Sequence, residues 1–185
     1  MGKEFMVTVF GSSRPREGDA DYEEARILGR ALAKHAFSVC TGGYGGVMEA
    51  VSRGAKEAGG KTVGVTADFF KAAKLNSWID VEVPRKTWEE RLFELIRRAD
   101  GFVACKGGTG TLVELAVVWE MLNKSVMAAK PFAVLGDFWQ PILDRVRKVE
   151  LEHPAPWGEA HGPLVYVATS PGDVASHLTA RLKQT

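Results

Sequence analysis

The chain has 185 residues, about a quarter of them charged, and its formal net charge at pH 7 is +1. This length suits one domain, residues 1–185, and the near-zero charge gives no electrostatic case for binding nucleic acid. No apolar run is long enough to span a membrane, and the N-terminus lacks the apolar stretch of a signal peptide. Two cysteines, Cys40 and Cys105, cannot form a disulfide framework, so we expect buried free thiols in a reduced, cytoplasmic protein.

The first predicted strand runs directly into small polar residues. Phe5–Phe10 is apolar and β-branched, which predicts a strand, and Gly11, Ser12 and Ser13 follow it at once. In an α/β chain, residues at this place lie at the carboxyl edge of the sheet, where ligands bind. An ordinary loop capped by serine is the alternative.

A second turn, rich in glycine, follows the next strand. A helix is predicted over Tyr22–His35, a strand over Phe37–Thr41, and a further helix over Val47–Ala55. The turn between the last two contains four glycines. This turn and the glycine-rich turn at Gly107–Gly110, both at the ends of parallel strands, would face each other across one crevice, which we expect to be lined by Gly43, Gly45 and Gly46.

The rest of the chain continues the alternation of strand and helix. Further strands are predicted over Lys61–Thr66, Trp78–Val83, Gly101–Cys105, Pro131–Leu135 and Leu164–Val167. Further helices are predicted after Thr87, from Leu112, over Phe138–Val149 and after Ser170, with a loop over Glu150–Gly162 in which His153 and His161 face solvent. This order predicts an α/β fold, a Rossmann-like open, mainly parallel sheet of about seven strands with helices on both faces.

The most informative stretch is Lys106–Glu114, Lys-Gly-Gly-Thr-Gly-Thr-Leu-Val-Glu, between a strand and a helix. Glycines there let the backbone turn tightly and let a ligand approach, and the first N–H groups of the helix favour an anion. Thr109 and Thr111 add hydroxyl donors, and Glu114 lies one turn into the helix. The pattern predicts a phosphate cradle, Gly107, Gly108, Thr109, Gly110 and Thr111, with a carboxylate beside it.

A cation on the preceding helix completes the candidate chemistry. Arg91 has apolar neighbours at i+1, i+4 and i+5, so it borders the buried face of the helix that Thr87 begins. An arginine in that position is suited to a carboxylate or a phosphate, with a solvent-reaching side chain as the alternative.

The pattern Gly-Gly-x-Gly-Thr-x-x-Glu at 107–114 resembles the motif of the LOG family, the cytokinin riboside 5′-monophosphate phosphoribohydrolases, long labelled lysine decarboxylases. Gly-Ser-Ser at 11–13 and the glycine-rich turn at 42–46 match the family as well, and Trp88–Leu92 stands where the family has Met-His-Glu-Arg-Lys. The resemblance covers Val7 to Leu178.

The resemblance implies a hydrolase that takes a small nucleotide or another phosphorylated ligand, needs no cofactor or metal, and forms a homodimer. It implies that Arg91 and Glu114 are the catalytic pair. Because an adjacent cation lowers a carboxyl pKa, Arg91 is expected to hold Glu114 ionised. The implied phosphate- and substrate-binding residues are those of the cradle, with Trp88, Gly11, Ser12, Ser13, Gly43, Gly45 and Gly46.

Two departures from the family keep a second function open. Lys106 replaces the proline of the motif, and Leu92 replaces a lysine that contacts substrate in the family. The segment Met-Glu-Ala-Val-Ser-Arg-Gly-Ala at 48–55 also resembles the corresponding segment of molybdenum-cofactor carrier proteins of the same fold. Those proteins bind a phosphorylated pterin without catalysis. Lysine decarboxylation is disfavoured, because that chemistry generally needs pyridoxal phosphate on a lysine and no lysine here stands in such a context.

Overall fold

The computed structural model describes residues 4–70, 72–152 and 163–183. These residues form seven strands and six helices in strict alternation except between β3 and β4. The strands are β1 Phe5–Phe10, β2 Phe37–Thr41, β3 Thr62–Ala67, β4 Val81–Arg85, β5 Gly101–Ala104, β6 Phe132–Leu135 and β7 Val165–Ala168. The helices are α1 Ala20–Lys34, α2 Val47–Glu57, α3 Trp88–Arg98, α4 Thr109–Asn123, α5 Gln140–Glu152 and α6 Pro171–Leu182.

All seven strands are parallel and form one sheet in the order β4-β3-β2-β1-β5-β6-β7. The predicted open, Rossmann-like α/β fold is therefore confirmed. The chain winds outward in one direction from β1 to β4 and then in the other from β5 to β7. Because the order reverses between β1 and β5, the chain leaves these two strands toward opposite faces of the sheet, and a crevice forms between them at the carboxyl edge.

Two apolar clusters cover the two faces of the sheet. On one face, α1 and α2 pack against β1 and β2, and α6 packs against β5, β6 and β7. On the other face, α3 packs against β1 to β4, and α4 and α5 join the same cluster with β5 and β6. Both cysteines are buried as predicted, and burial raises the pKa of each thiol to about 12. Neither thiol is therefore reactive at neutral pH. Within the described ranges, no helix is both long and apolar enough to cross a membrane.

The predicted boundaries differ most from the structure at two elements, and several other boundaries differ by one or two residues. The strand predicted over Trp78–Val83 begins later and continues through Pro84 and Arg85. Proline is tolerated because β4 is the edge strand, where a missing N–H need not break a ladder. Helix α5 continues to Glu152, so the loop predicted from Glu150 was wrong at its start. His153, Trp157 and His161 lie outside the described residues.

Candidate functional site

The turn between β5 and α4 has the geometry of an anion cradle. A Cβ atom on Gly107 would lie 2.2 Å from the Thr111 hydroxyl oxygen, so only glycine fits there. Gly108 is the N-cap of α4 and gives it no side-chain cap. The backbone N–H groups of the three residues that follow therefore have no partner within the helix. Thr109 and Gly110 are exposed, whereas Thr111 is buried and packs beneath Gly107.

The structure brings Arg91 and Glu114 together, although they come from different helices. Arg91 Nη1 lies 3.9 Å from Glu114 Oε1, and both side chains are largely withdrawn from solvent, with relative exposures of 8% and 16%. Glu114 lies one turn into α4, directly behind the cradle. The carboxylate and the guanidinium thus stand together beside the helix whose N-terminus forms the cradle.

Arg91 is held by a set of contacts that fix the plane of its guanidinium. Its Nε donates a hydrogen bond to the Val65 carbonyl oxygen at 2.8 Å, and its Nη2 lies 3.8 Å from the Met48 sulfur. The rings of Tyr44 and Phe70 lie 5.5 and 5.4 Å from the guanidinium carbon, within cation–π range. Arg91 is buried, with 6% of its surface exposed, so the alternative of a solvent-reaching arginine is wrong.

Gly42 leaves the space that this guanidinium occupies. A Cβ atom at position 42 would lie 1.6 Å from Arg91 Nη2 and 2.6 Å from the Met48 sulfur. The glycine-rich turn after β2 therefore does more than bend the chain. It admits a charged group into the wall of the crevice.

The pKa of Glu114 is set by burial more than by its partner. Loss of hydration raises the pKa of this carboxyl to about 7, although the charge of Arg91 acts in the opposite direction. The expectation that Arg91 holds Glu114 fully ionised is therefore wrong in its net effect. Near neutral pH the group is divided between its acid and base forms, which suits a residue that must exchange a proton.

The loops after β1 and β2 are packed against each other at the other side of the crevice. The Val47 N–H donates to the Ser12 carbonyl oxygen at 2.8 Å, and a Cβ atom on Gly11 would lie 2.4 Å from Val47. Gly46 has φ +69°, and a Cβ there would lie 2.4 Å from the Ser12 carbonyl oxygen. Ser13 is exposed beside this contact.

The loop after β5 joins this arrangement through the Ser12 N–H, which donates to the Lys106 carbonyl oxygen at 3.3 Å. The loop after β1 therefore contacts both of the glycine-rich turns that were predicted to face one crevice. Gly43, with φ +76°, and Gly45 occupy the β2 loop next to Arg91's ring contact Tyr44.

Two residues that fix the β2 loop have no signature in the sequence. The Asn76 side-chain amide donates to the carbonyl oxygens of Gly43 and Tyr44, at 3.0 and 2.9 Å. The Tyr44 hydroxyl accepts from the Ala67 N–H at 2.8 Å and donates to the Ala67 carbonyl oxygen at 3.2 Å. Asn76 lies in an irregular segment, so its role depends on a contact that no local pattern predicts.

Trp88 lies one helical turn before Arg91, at the start of α3, and is half-buried. With the exposed ring of Phe69 it lines a cleft of about 560 Å³ that also includes Asp68 and Glu89. Two aromatic side chains therefore flank open space at the start of α3. Phe69 was not predicted as a site residue.

The two departures from the family motif differ in their surroundings. Leu92 is 4% exposed and belongs to the core beneath α3, so it cannot replace a lysine that contacts substrate. Lys106 is on the surface, and its ammonium lies 3.0 Å from the carboxylate of Asp21 at the start of α1. Across the ranges that the structure describes, no three His, Cys, Asp or Glu side chains are grouped as a metal site would require.

The fold is a Rossmann-like α/β fold with an open parallel sheet. A polar crevice lies at the carboxyl edge of this sheet, where α4 begins without a side-chain cap and Arg91 meets Glu114. The sequence profile of the SLOG cluster4 family matches residues 4–152, and the chain belongs to that family. The resemblance to the LOG family is confirmed by the relatives described next.

Several relatives are named as nucleotide hydrolases. The chain is 33% identical over 135 residues to a cytokinin riboside 5′-monophosphate phosphoribohydrolase of Mycobacterium marinum, covering 69% of this chain and 72% of the relative. It is 27% identical over 154 residues to the protein of the same name from Rhodococcoides fascians, covering 79% and 76%. An uncharacterized protein of Archaeoglobus fulgidus is 31% identical over 121 residues, covering 64% and 78%.

Among solved structures, the chain is similar to the molybdenum cofactor binding protein of Rippkaea orientalis. The TM-score is 0.76 at 23% identity, with 97% of this chain and 98% of that chain covered. A Moco carrier protein from Chlamydomonas reinhardtii gives a TM-score of 0.73 at 22% identity, with 99% and 100% covered. At these identities the likeness establishes the fold.

Proposed function

We propose that the protein hydrolyses the N-glycosidic bond of a purine, cytokinin-type nucleoside 5′-monophosphate, releasing the free base and ribose 5-phosphate. The observation that carries the proposal is the buried pair of Arg91 and Glu114 directly behind an uncapped, glycine-rich helix N-terminus. Relatives named as phosphoribohydrolases, at about 30% identity, support the same reaction.

In this proposal the cradle binds the phosphate of the substrate and the aromatic cleft binds its base. The 5′-phosphate would accept hydrogen bonds from the backbone N–H groups at the start of α4, and the base would enter the cleft between Trp88 and Phe69. The sugar then lies between the two, against Arg91 and Glu114. Binding energy from the phosphate and the base would hold the anomeric carbon in place, although neither group reacts.

The reaction replaces the bond between the anomeric carbon and the base nitrogen by a bond to water oxygen. As that bond breaks, its electron pair leaves with the base and positive charge develops on the sugar ring. Ionised Glu114 would stabilise this charge and accept a proton from the attacking water. The proton ends on the departing base. Arg91 would orient the carboxylate and keep part of it ionised despite its burial.

The pH dependence of hydrolysis is expected to report Glu114. Because the carboxylate is the active form and the pKa of Glu114 is about 7, kcat/KM should rise with pH through an acidic limb near pH 7. Arg91→Gln removes the cation that opposes the effect of burial, so the Glu114 pKa should rise further. Arg91→Lys keeps the charge and serves as the matched control. Carbon NMR of the Glu114 carboxyl follows the pKa directly, and an unchanged pKa in Arg91→Gln would contradict this assignment.

The direct test is to incubate the protein with AMP and with isopentenyladenosine monophosphate and to measure released base and ribose 5-phosphate, with Glu114→Gln as the control. Release that disappears in the variant supports hydrolysis. Absence of release from both nucleotides, alongside tight binding of a phosphorylated ligand, would refute it.

A phosphopterin carrier is the second candidate. Burial of Leu92 favours it, because the position at which the LOG family contacts substrate offers no charged group here. The solved structures with this fold include proteins named for binding or carrying the molybdenum cofactor. A carrier would bind the phosphorylated pterin without consuming it, and Glu114→Gln would leave that binding intact.

We also propose that the protein is a homodimer that pairs through the outer faces of α3, α4 and α5. Helix α4 carries apolar residues on its outer side as well as toward the sheet, and a helix that is apolar all round is usually buried. The apolar residues exposed along these three helices and the turn after α4 are Phe93, Val113, Val126, Ile142, Val146 and Val149.

Ala116→Lys should convert the dimer to a monomer, because Ala116 is exposed at the middle of α4 and a lysine there costs little unless a second copy covers it. Ile27→Lys is the matched control, since Ile27 is also exposed but lies on α1, over the opposite face of the sheet. Light scattering after size-exclusion chromatography measures the outcome. A monomeric parent protein, or a dimer unaffected by Ala116→Lys, would contradict the proposed interface.

A further inference from the structure

A cavity of about 560 Å³ lies next to the cradle, on the side of α1. One wall is the loop between β1 and α1, which contributes Ser12 and Arg14. The other is the turn that contains Lys106, Gly107 and Gly108. Each wall therefore brings one basic side chain to the same space, and this cavity is distinct from the cleft lined by Trp88 and Phe69.

The two cations of this cavity differ in how they are engaged. The guanidinium of Arg14 meets no carboxylate in the described part of the chain, and its backbone N–H donates to the Ser12 hydroxyl at 3.1 Å, which fixes the loop. Lys106 pairs with Asp21 at 3.0 Å, but both side chains are exposed, by 55% and 39%. An exposed pair of this kind contributes little to stability, so an anion can replace Asp21.

The second carboxylate at the cavity, Asp19, keeps its charge but is held by the backbone of its own loop. The carboxylate of Asp19 accepts the Arg16 N–H at 2.7 Å, within the loop before α1. Asp21 is thus the one carboxylate at the cavity that a ligand would have to displace from a cation. Its displacement would leave two positive groups facing the cavity beside the cradle.

We propose that this cavity holds the outer phosphate of a nucleoside diphosphate or a similar pyrophosphate ester, bound by Lys106 and Arg14. The inference rests on the proposed function, in which the cradle binds the inner phosphate. A proline, which the LOG family has at the position of Lys106, could not make such a contact. Lys106 therefore extends the ligand class of this chain from monophosphates to diphosphates. In the absence of ligand, Asp21 holds the Lys106 ammonium at the cavity.

Calorimetric titration with AMP and with ADP tests the proposal, in a Glu114→Gln background so that no nucleotide is consumed. ADP should bind at least about tenfold more tightly than AMP, because a single added hydrogen bond between charged groups is worth that much and two cations face the outer phosphate. Lys106→Met should remove most of this preference while changing AMP binding little, and Lys106→Arg should restore it. Asp21→Asn frees the ammonium and should widen the preference. Lys148→Met, which removes another exposed, paired lysine on α5, should change neither affinity.

Equal affinities for AMP and ADP in the parent protein would overturn the proposal, as would an equal loss of both affinities in Lys106→Met. These results differ from failure of the proposed function itself. If the cradle takes no phosphate, neither nucleotide binds. If the protein binds both nucleotides with the expected preference but releases no base in the wild-type assay, the outer-phosphate site stands and hydrolysis does not.

Discussion

Glu114→Gln is expected to lower the rate of base release by a factor of about 10² to 10⁴, the usual contribution of a positioned acid or base. Glutamine keeps the shape of the side chain but can neither carry the negative charge nor accept a proton from water. The cradle is formed by backbone groups ahead of this residue, so binding of ribose 5-phosphate should persist. Measured turnover equal to that of the parent protein would remove Glu114 from the reaction.

The same substitution should stabilise the protein at alkaline pH. The pKa of Glu114 is about 7 when folded and near its usual 4.5 when unfolded, so the folded state holds the proton more tightly. Stability is lost as pH rises from about 4.5 through 7, and ionisation above pH 7 costs at most about 3 kcal/mol. Glutamine avoids that cost. Urea denaturation at pH 8 and at pH 4.5 should show a gain for the variant only at the higher pH.

Gly42→Ala is expected to lower kcat about 10²-fold, the order of loss that follows when a reacting group moves by about 1 Å. The added Cβ would lie 1.6 Å from Arg91 Nη2, so the guanidinium must leave its present position. Movement is costly because the Val65 carbonyl oxygen and the rings of Tyr44 and Phe70 all hold it there. Its partner Glu114 would then lose both orientation and charge compensation.

A matched control is Gly172→Ala in α6, where an added Cβ would meet only the Ser170 hydroxyl at 3.9 Å. That variant should keep full activity. Circular dichroism separates loss of the fold from loss of the site, and a Glu114 pKa that rises in Gly42→Ala identifies the displaced cation. A folded Gly42→Ala protein with parental kcat would show that the position of Arg91 does not matter.

Most of the fold could be predicted because most strands are short apolar runs that end at a glycine or a polar turn. Phe5–Phe10 and Phe37–Thr41 are short, apolar and closed by glycine, so both their type and their bounds match the structure. The strand at Val81–Arg85 was misplaced because it contains a proline and buries only one residue, Val83, so its sequence lacks the regular alternation of a half-buried strand. Its membership of the sheet depends on pairing with β3, which no local pattern contains.

The residues of the candidate site could be predicted, but the pKa of Glu114 could not. The motif at 107–114 identifies Glu114, and the apolar neighbours of Arg91 place it at the border of the buried face of α3. The separation of 3.9 Å between the two side chains follows from the packing of α3 and α4 on the same face of the sheet. The net direction of the Glu114 pKa depends on how much water that packing removes. Asn76 and Tyr44 act through contacts between loops that are distant in sequence, and no local residue pattern predicts such contacts.

The position of β1 at the centre of the sheet has a consequence for how the protein folds. Its two neighbours are β2, which follows it by one helix, and β5, which pairs Gly101 with Val7. Pairing across so long a stretch of chain is slow, since the loop must close before the contact forms. Until β5 docks, β1 presents an open edge on which other chains can pair. The residues proposed to bind phosphate are then not yet held in position. During synthesis the crevice therefore forms only after more than half of the chain has been made.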